Sequence, residues 1–68
     1  MGGRVAYVNM AIPPRSAPTS PGKGTGVLHD NGASVTIHNP HTTVIPANVK
    51  VLIFQAAGGN WTIDKVLS

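Results

Sequence analysis

The sequence predicts an all-β fold: a small five-stranded barrel or sandwich of SH3-like or OB-like size, with an extended proline-rich N-terminal arm. Two observations support this. From residue 25 onward, short runs of β-type residues alternate with turn residues at nearly regular spacing. No stretch keeps a helical hydrophobic period over the roughly ten residues that a helix needs. We therefore expect an arm and linker over residues 1–23 and a barrel over residues 24–68.

Five short runs supply the expected strands, at residues 25–29, 33–38, 42–45, 49–55 and 60–67. Turn residues such as the Asp-Asn-Gly at 30–32 separate them. In the run 49–55, Leu52 and Phe54 lie on the opposite face from Val51 and Ile53. Burial of both faces is therefore expected in the second half of that run.

The proline content defines the expected arm. Residues 12–24 hold four of the six prolines, so this stretch cannot be a helix and is expected to be polyproline-like. The apolar segment 4–12 has no local partner and would pair either with the barrel or with a neighbouring subunit. The Gly-Lys-Gly-Thr-Gly at 22–26 lacks the spacing and the following helix of a phosphate loop. We interpret it as a flexible hinge.

Length and composition favour a subunit of an assembly. A domain of 68 residues buries only about 60 % of the surface of its unfolded chain, and the sequence has no cysteine that could form a stabilising disulfide. Charged residues make up 10 % of the chain and hydrophobic residues 41 %, so oligomerisation or docking is expected. The net charge of +3 comes from scattered single cations rather than a cluster, which argues against nucleic acid as partner. No apolar run approaches the roughly 20 residues of a membrane span, and a soluble protein is expected.

Three histidines are the candidate metal ligands. His38 and His41 are three residues apart, and His29 with Asp30 would have to complete a site. Because a metal site needs three or four ligands and a second shell, exposed turn histidines are the better interpretation. No metal or cofactor is predicted.

Catalytic and sugar-binding patterns are weak. Asp30 and Asp64 have no spacing that pairs them as acid and base, and the serines lie in no nucleophile motif, so no enzyme is predicted. The Asn-Trp-Thr at 60–62 matches a glycosylation acceptor, and we regard this as coincidence. Trp61 is expected to fill the core of a small barrel rather than to stack on a ligand.

The C-terminal pattern resembles the small β-barrel modules of tailed-bacteriophage virion proteins. It comprises Val-Thr-Ile-His-Asn-Pro at 35–40, Ile-Pro-Ala at 45–47, Val-Lys-Val at 49–51 and Gly-Gly-Asn-Trp-Thr-Ile at 58–63. The resemblance covers about residues 24–67 and not the arm. It implies a non-enzymatic structural protein of the virion, assembled in the host cytoplasm, as a capsid decoration or minor capsid protein. A tail or head–tail adaptor component is the alternative within the same class.

The resemblance also implies partners and residue roles. The partner would be the major capsid protein or another virion subunit, with a homo-oligomer or a symmetric assembly expected. Barrel core residues would be Val35, Ile37, Val51, Ile53, Trp61 and Ile63. The arm would contact neighbouring subunits through Arg4, Val5, Tyr7, Val8, Met10, Ile12, Pro13, Pro14 and Arg15.

Two other classes stay open. A nucleic-acid-binding barrel would place Arg4, Arg15, Lys23, Lys50 and Lys65 on phosphates, with Trp61 or Tyr7 stacking on bases. A glycan-binding protein on a virion surface would expose Trp61 with His38 or Asn39 nearby.

Overall fold

The computed structural model describes residues 3–56 and 58–67 and confirms the all-β class. Five strands are present in this part of the chain, and no helix: β1 (Arg4–Val8), β2 (Gly22–Leu28), β3 (Ser34–Asn39), β4 (Lys50–Gln55) and β5 (Trp61–Val66). Within the same residues, no helix is long and apolar enough to cross a membrane.

The strands form a closed barrel in the order β1-β2-β3-β5-β4, and β4 pairs back onto β1. Every neighbouring pair is antiparallel except β3 with β5, which are parallel. This is the strand order of OB-type barrels, one of the two small barrels expected from the size of the chain. The β3–β5 pairing is short and joins Ile37 to Trp61 and His38 to Thr62.

The membership of the barrel differs from the prediction at two places. Arg4–Val8, assigned to the arm, is a barrel strand that pairs with both β2 and β4, which is one of the two pairings left open for the segment 4–12. Its inward residue Ala6 faces Leu28 on one side and Val51 on the other. The expected strand at 42–45 is absent, and only Ile45 forms an isolated bridge, with Ile12. The barrel therefore includes β1, which lies before the predicted boundary at residues 23 and 24, in place of the expected strand at 42–45.

The glycine-rich segment 22–26 is part of a strand and not a hinge. It pairs with β3 in continuous register, from Gly22 opposite Asn39 onward. An added Cβ at Gly22 would overlap the carbonyl group of Pro13, and one at Gly24 would lie 2.5 Å from Cγ1 of Ile12. These glycines make room for the connection between β1 and β2, which packs directly against the inner side of β2.

The core residues follow the predicted alternation. Ile37, Val51, Ile53 and Ile63 are buried, while Val35 and Trp61 are partly buried and pack against them. The other buried apolar residues are Ala6, Val8, Ile12, Leu28 and Ile45. The prediction that both faces of β4 are buried is wrong for Phe54, whose side chain is 39 % exposed. Only one face of β4 meets the interior.

Two long connections close one end of the barrel, and a buried asparagine joins them. Ile12 and Ile45 exchange backbone hydrogen bonds of 2.9 Å, so the 9–21 and 40–49 connections run side by side. Asn39, which is fully buried, donates from Nδ2 to the carbonyl oxygens of Pro13 and Thr43, each at 3.0 Å. Its Oδ1 accepts from the backbone N–H of His41 at 3.0 Å. Both connections are thereby tied to the end of β3.

Candidate functional site

The residues predicted as a contact arm do not form one free segment. Val8 and Ile12 are buried in the core, where they are not accessible to a partner. Arg4 and Val5 are half-buried within β1, whereas Tyr7, Met10, Pro13, Pro14 and Arg15 are exposed. The part of this set that a partner can reach is therefore split between the outer surface of β1 and the connection that follows it.

The outward side chains of β1 gather with those of its two neighbours into one apolar surface. We call it the outer apolar face, and it consists of Val5, Tyr7, Val27, Leu52 and Phe54. The strand register places Val5 opposite Leu52 and Tyr7 opposite Val27. Tyr7 is 40 % exposed and Phe54 is 39 % exposed. Five outward apolar side chains thus lie on three paired strands, of which Tyr7 and Phe54 are exposed and Val5, Val27 and Leu52 are half-buried.

Polar groups surround Tyr7, which lies at the end of this face next to Lys50. The Nζ atom of Lys50 lies 5.8 Å from the centroid of the Tyr7 ring, within the range of a cation–π contact. The imidazole ring of His29 lies on another side, with the ring centroids 5.4 Å apart. Lys65 is opposite Leu52 in the β4–β5 ladder. The rim of the face therefore contains lysines, and the ring of Tyr7 is held in place between two neighbours.

An exposed ion pair lies beside the same face. The guanidinium group of Arg4 donates a hydrogen bond to the carboxylate of Asp30, and both side chains are partly open to solvent. That hydrogen bond is the main reason why the pKa of Asp30 lies below its ordinary value. The pair ties the start of β1 to the turn that follows β2.

This pair predicts a small pH dependence of stability. Because the pKa of Asp30 is lower in the folded chain than in the unfolded chain, the pair stabilises the fold above the unfolded-state pKa of about 3.9. The stabilisation is lost as the pH falls through the lower, folded-state pKa. Urea unfolding between pH 6 and about pH 2 should show a slightly larger loss for the natural chain than for Asp30→Asn. Equal losses for the two chains would contradict this assignment.

The candidate metal ligands are separated in space. His29 contacts the ring of Tyr7, and His38 lies on the outer surface of β3 opposite Lys23. The Nε2 atom of His41 lies 3.2 Å from the carbonyl oxygen of Ile63. Over residues 3–56 and 58–67, no three ligand-type side chains are placed so that they could hold a metal ion. Each histidine is associated with a different part of the barrel.

A polar pocket that the sequence does not predict opens on the outer surface of β2 and β3. It has a volume of about 420 Å³ and is lined by Thr19, Ser20, Pro21, Lys23, His38 and Asn60. Three separate segments contribute: the turn before β2, the β2–β3 ladder and the turn before β5. Only the strand register brings these segments together, so residue spacing carries no signal for the pocket. We call it the β2–β3 pocket.

Trp61 and the two aspartates occupy separate places in the structure. Trp61 is only partly buried and packs against the core, whereas the sequence predicts that it fills the core. Asp64 lies on β5 beside a groove that also includes His41 and Lys65, whereas Asp30 is bonded to Arg4. The two carboxylates thus belong to different sites.

Comparisons with known proteins identify no relative of this chain. No protein-family model, no curated protein and no solved structure matches the chain. The fold and the chemistry of its surface are therefore the basis for assigning a function.

Proposed function

We propose that the chain is a non-enzymatic structural subunit of a bacteriophage virion. It would dock on the major capsid protein or another virion subunit as a decoration or minor capsid protein. The observation that supports this most is the outer apolar face, because its exposed Tyr7 and Phe54 do not contribute to filling the barrel. Contiguous exposed apolar residues with a polar rim are typical of protein–protein contact surfaces.

The size of the domain agrees with docking. A single core of 68 residues supplies only about 3–5 kcal/mol of stability, so binding to a larger assembly would stabilise the fold by mass action. The likeness of the C-terminal pattern to phage barrel modules suggests the kind of assembly. A tail or head–tail adaptor role would use the same face on a different part of the particle.

The route of contact is the barrel surface rather than a released arm. β1 is hydrogen-bonded on both sides, and Ile12 is buried, so releasing residues 4–12 would open the barrel. We propose that the partner contacts the outward side chains of β1 and β4 while these strands stay in place.

The alternative of a nucleic-acid-binding barrel has less support. Arg4 is bonded to Asp30, Lys50 lies over Tyr7, and Lys23 is on a different surface from both. Phosphate binding along a strand of nucleic acid needs cations that follow one groove, together with exposed rings for the bases.

Analysis of purified particles tests the proposal. We expect mass spectrometry of density-gradient-purified virions to detect this chain at a fixed ratio to the major capsid protein, before and after nuclease treatment. The association should persist at about 0.5 M NaCl, because apolar contacts are insensitive to screening. A chain that is abundant in the infected cell and absent from particles would contradict the proposal. Loss after nuclease treatment would favour the nucleic-acid alternative instead.

A further inference from the structure

The geometry of the β2–β3 pocket places two nitrogen-containing side chains next to each other. Lys23 and His38 are directly opposite in the antiparallel ladder, and both point outward. Side chains at directly opposite positions have Cβ atoms about 4.5–5.5 Å apart. Thr19 and Ser20 from one turn, and Asn60 from another, line the same space. An ammonium, an imidazole, an amide and two hydroxyl groups therefore share one pocket.

Among the residues that the structure describes, no carboxylate balances the positive charge of this pocket. The sequence has only two acidic residues. Asp30 is bonded to Arg4, and Asp64 lies at a different groove beside Lys65. Among the described residues, the lining of the β2–β3 pocket includes Lys23 and no carboxylate. The ammonium group is therefore available to an anion from outside.

We propose that the β2–β3 pocket binds an anionic sugar, meaning a saccharide that bears a phosphate, sulfate or carboxylate group. Lys23 and His38 would hold the oxyanion, since charge-assisted hydrogen bonds from nitrogen are the strong ones. Thr19, Ser20 and Asn60 would exchange hydrogen bonds with neighbouring sugar hydroxyls, because each can both donate and accept. The volume of about 420 Å³ lies within the range of small-ligand sites. This activity is separate from docking through the outer apolar face.

The same pocket is poorly suited to a nucleic-acid strand. It includes one lysine and, among the described residues, no Phe, Tyr or Trp in its lining. Binding of single strands uses several cations along a groove and aromatic rings on which bases stack. One anionic group with polar neighbours is the chemistry that these side chains match.

Nuclear magnetic resonance titration of the full chain tests this inference. The probes are glucose 6-phosphate and glucuronic acid, which carry the anion as phosphate or carboxylate, with neutral glucose and inorganic phosphate as comparisons. We expect both anionic sugars to shift the backbone amide signals of Lys23, His38 and Asn60, and glucose to leave them unchanged. Lys23→Gln should weaken both interactions about tenfold or more. Lys65→Gln is the matched control and should bind as the natural chain does.

Five results would each overturn the inference. Equal shifts with glucose would remove the role of the anion, and equal affinity for inorganic phosphate would remove the role of the sugar. Shifts that survive Lys23→Gln, or that centre on Lys50 or Lys65, would place binding elsewhere. Much tighter binding of an oligothymidylate at the same signals would assign the pocket to nucleic acid. Because Lys23 and Lys65 both point into solvent, neither substitution should disturb the fold.

Discussion

Gly22→Ala should lose most of the folding free energy of this chain, about 3 kcal/mol. The added Cβ would overlap the carbonyl group of Pro13, a backbone group that cannot rotate aside. That carbonyl oxygen also accepts a hydrogen bond from buried Asn39. Relieving the overlap would move the 9–21 connection away from β2 and break its contacts with the core.

Neighbouring positions supply graded controls for this result. Gly24→Ala should cost about 1–2 kcal/mol, since the obstructing group is the side chain of Ile12 and can shift. Thr25→Ala, on the exposed side of the same strand, should cost about 0.5 kcal/mol or less. Urea unfolding followed by Trp61 fluorescence measures all three. If Gly22→Ala unfolds at the same urea concentration as Thr25→Ala, the close approach of Pro13 to β2 is wrong.

Asn39→Asp is the second substitution with a large expected effect, again about 3 kcal/mol. The side chain keeps its size, but a carboxylate cannot donate to the carbonyl oxygens of Pro13 and Thr43. A negative charge would then lie fully buried beside two carbonyl oxygens, where burial is most costly. Both connections would lose the hydrogen bond that Nδ2 donates to them, whereas the bond accepted from the backbone N–H of His41 can persist.

The matched control for this substitution is Asn9→Asp. Asn9 is exposed in the connection after β1, so the same chemical change should alter stability by about 0.5 kcal/mol or less. Circular dichroism at pH 7 during thermal unfolding compares the two variants. If both variants unfold at the same temperature as the natural chain, the hydrogen bonds assigned to Asn39 do not hold the two connections in place.

Local patterns in the sequence are sufficient to predict the all-β class and much of the core. The alternation in β3, β4 and β5 places Ile37, Ile53 and Ile63 inside, and the structure confirms it. The prediction succeeds there because strand alternation depends on neighbouring residues alone.

The first two strands of the barrel could not be predicted, because they depend on contacts between residues far apart in the sequence. Glycine and proline are typical of flexible linkers, yet Gly22 and Gly24 lie in a strand because Pro13 and Ile12 pack against them. That contact joins residues about ten positions apart through a turn whose path the sequence does not specify. The strand role of residues 4–8 depends in turn on pairing with β4, more than forty residues downstream.

The candidate sites depend on the same long-range register. The most apolar run of the sequence predicts burial of Phe54, but the closed barrel leaves its face outside. The pairing of β1 with β4 then sets Val5 beside Leu52. The opposition of Lys23 and His38 arises in the same way from the β2–β3 register.

Binding of the purified chain to virus particles assembled without it tests the proposed docking role most directly. Co-sedimentation should show saturable binding of the natural chain and at least a tenfold loss for Phe54→Asp, which puts a charge on the outer apolar face. Val44→Asp, an exposed apolar position in the 40–49 connection, is the matched control and should bind normally. If Phe54→Asp co-sediments as well as the natural chain, or if the natural chain fails to bind, the docking role of this face is contradicted.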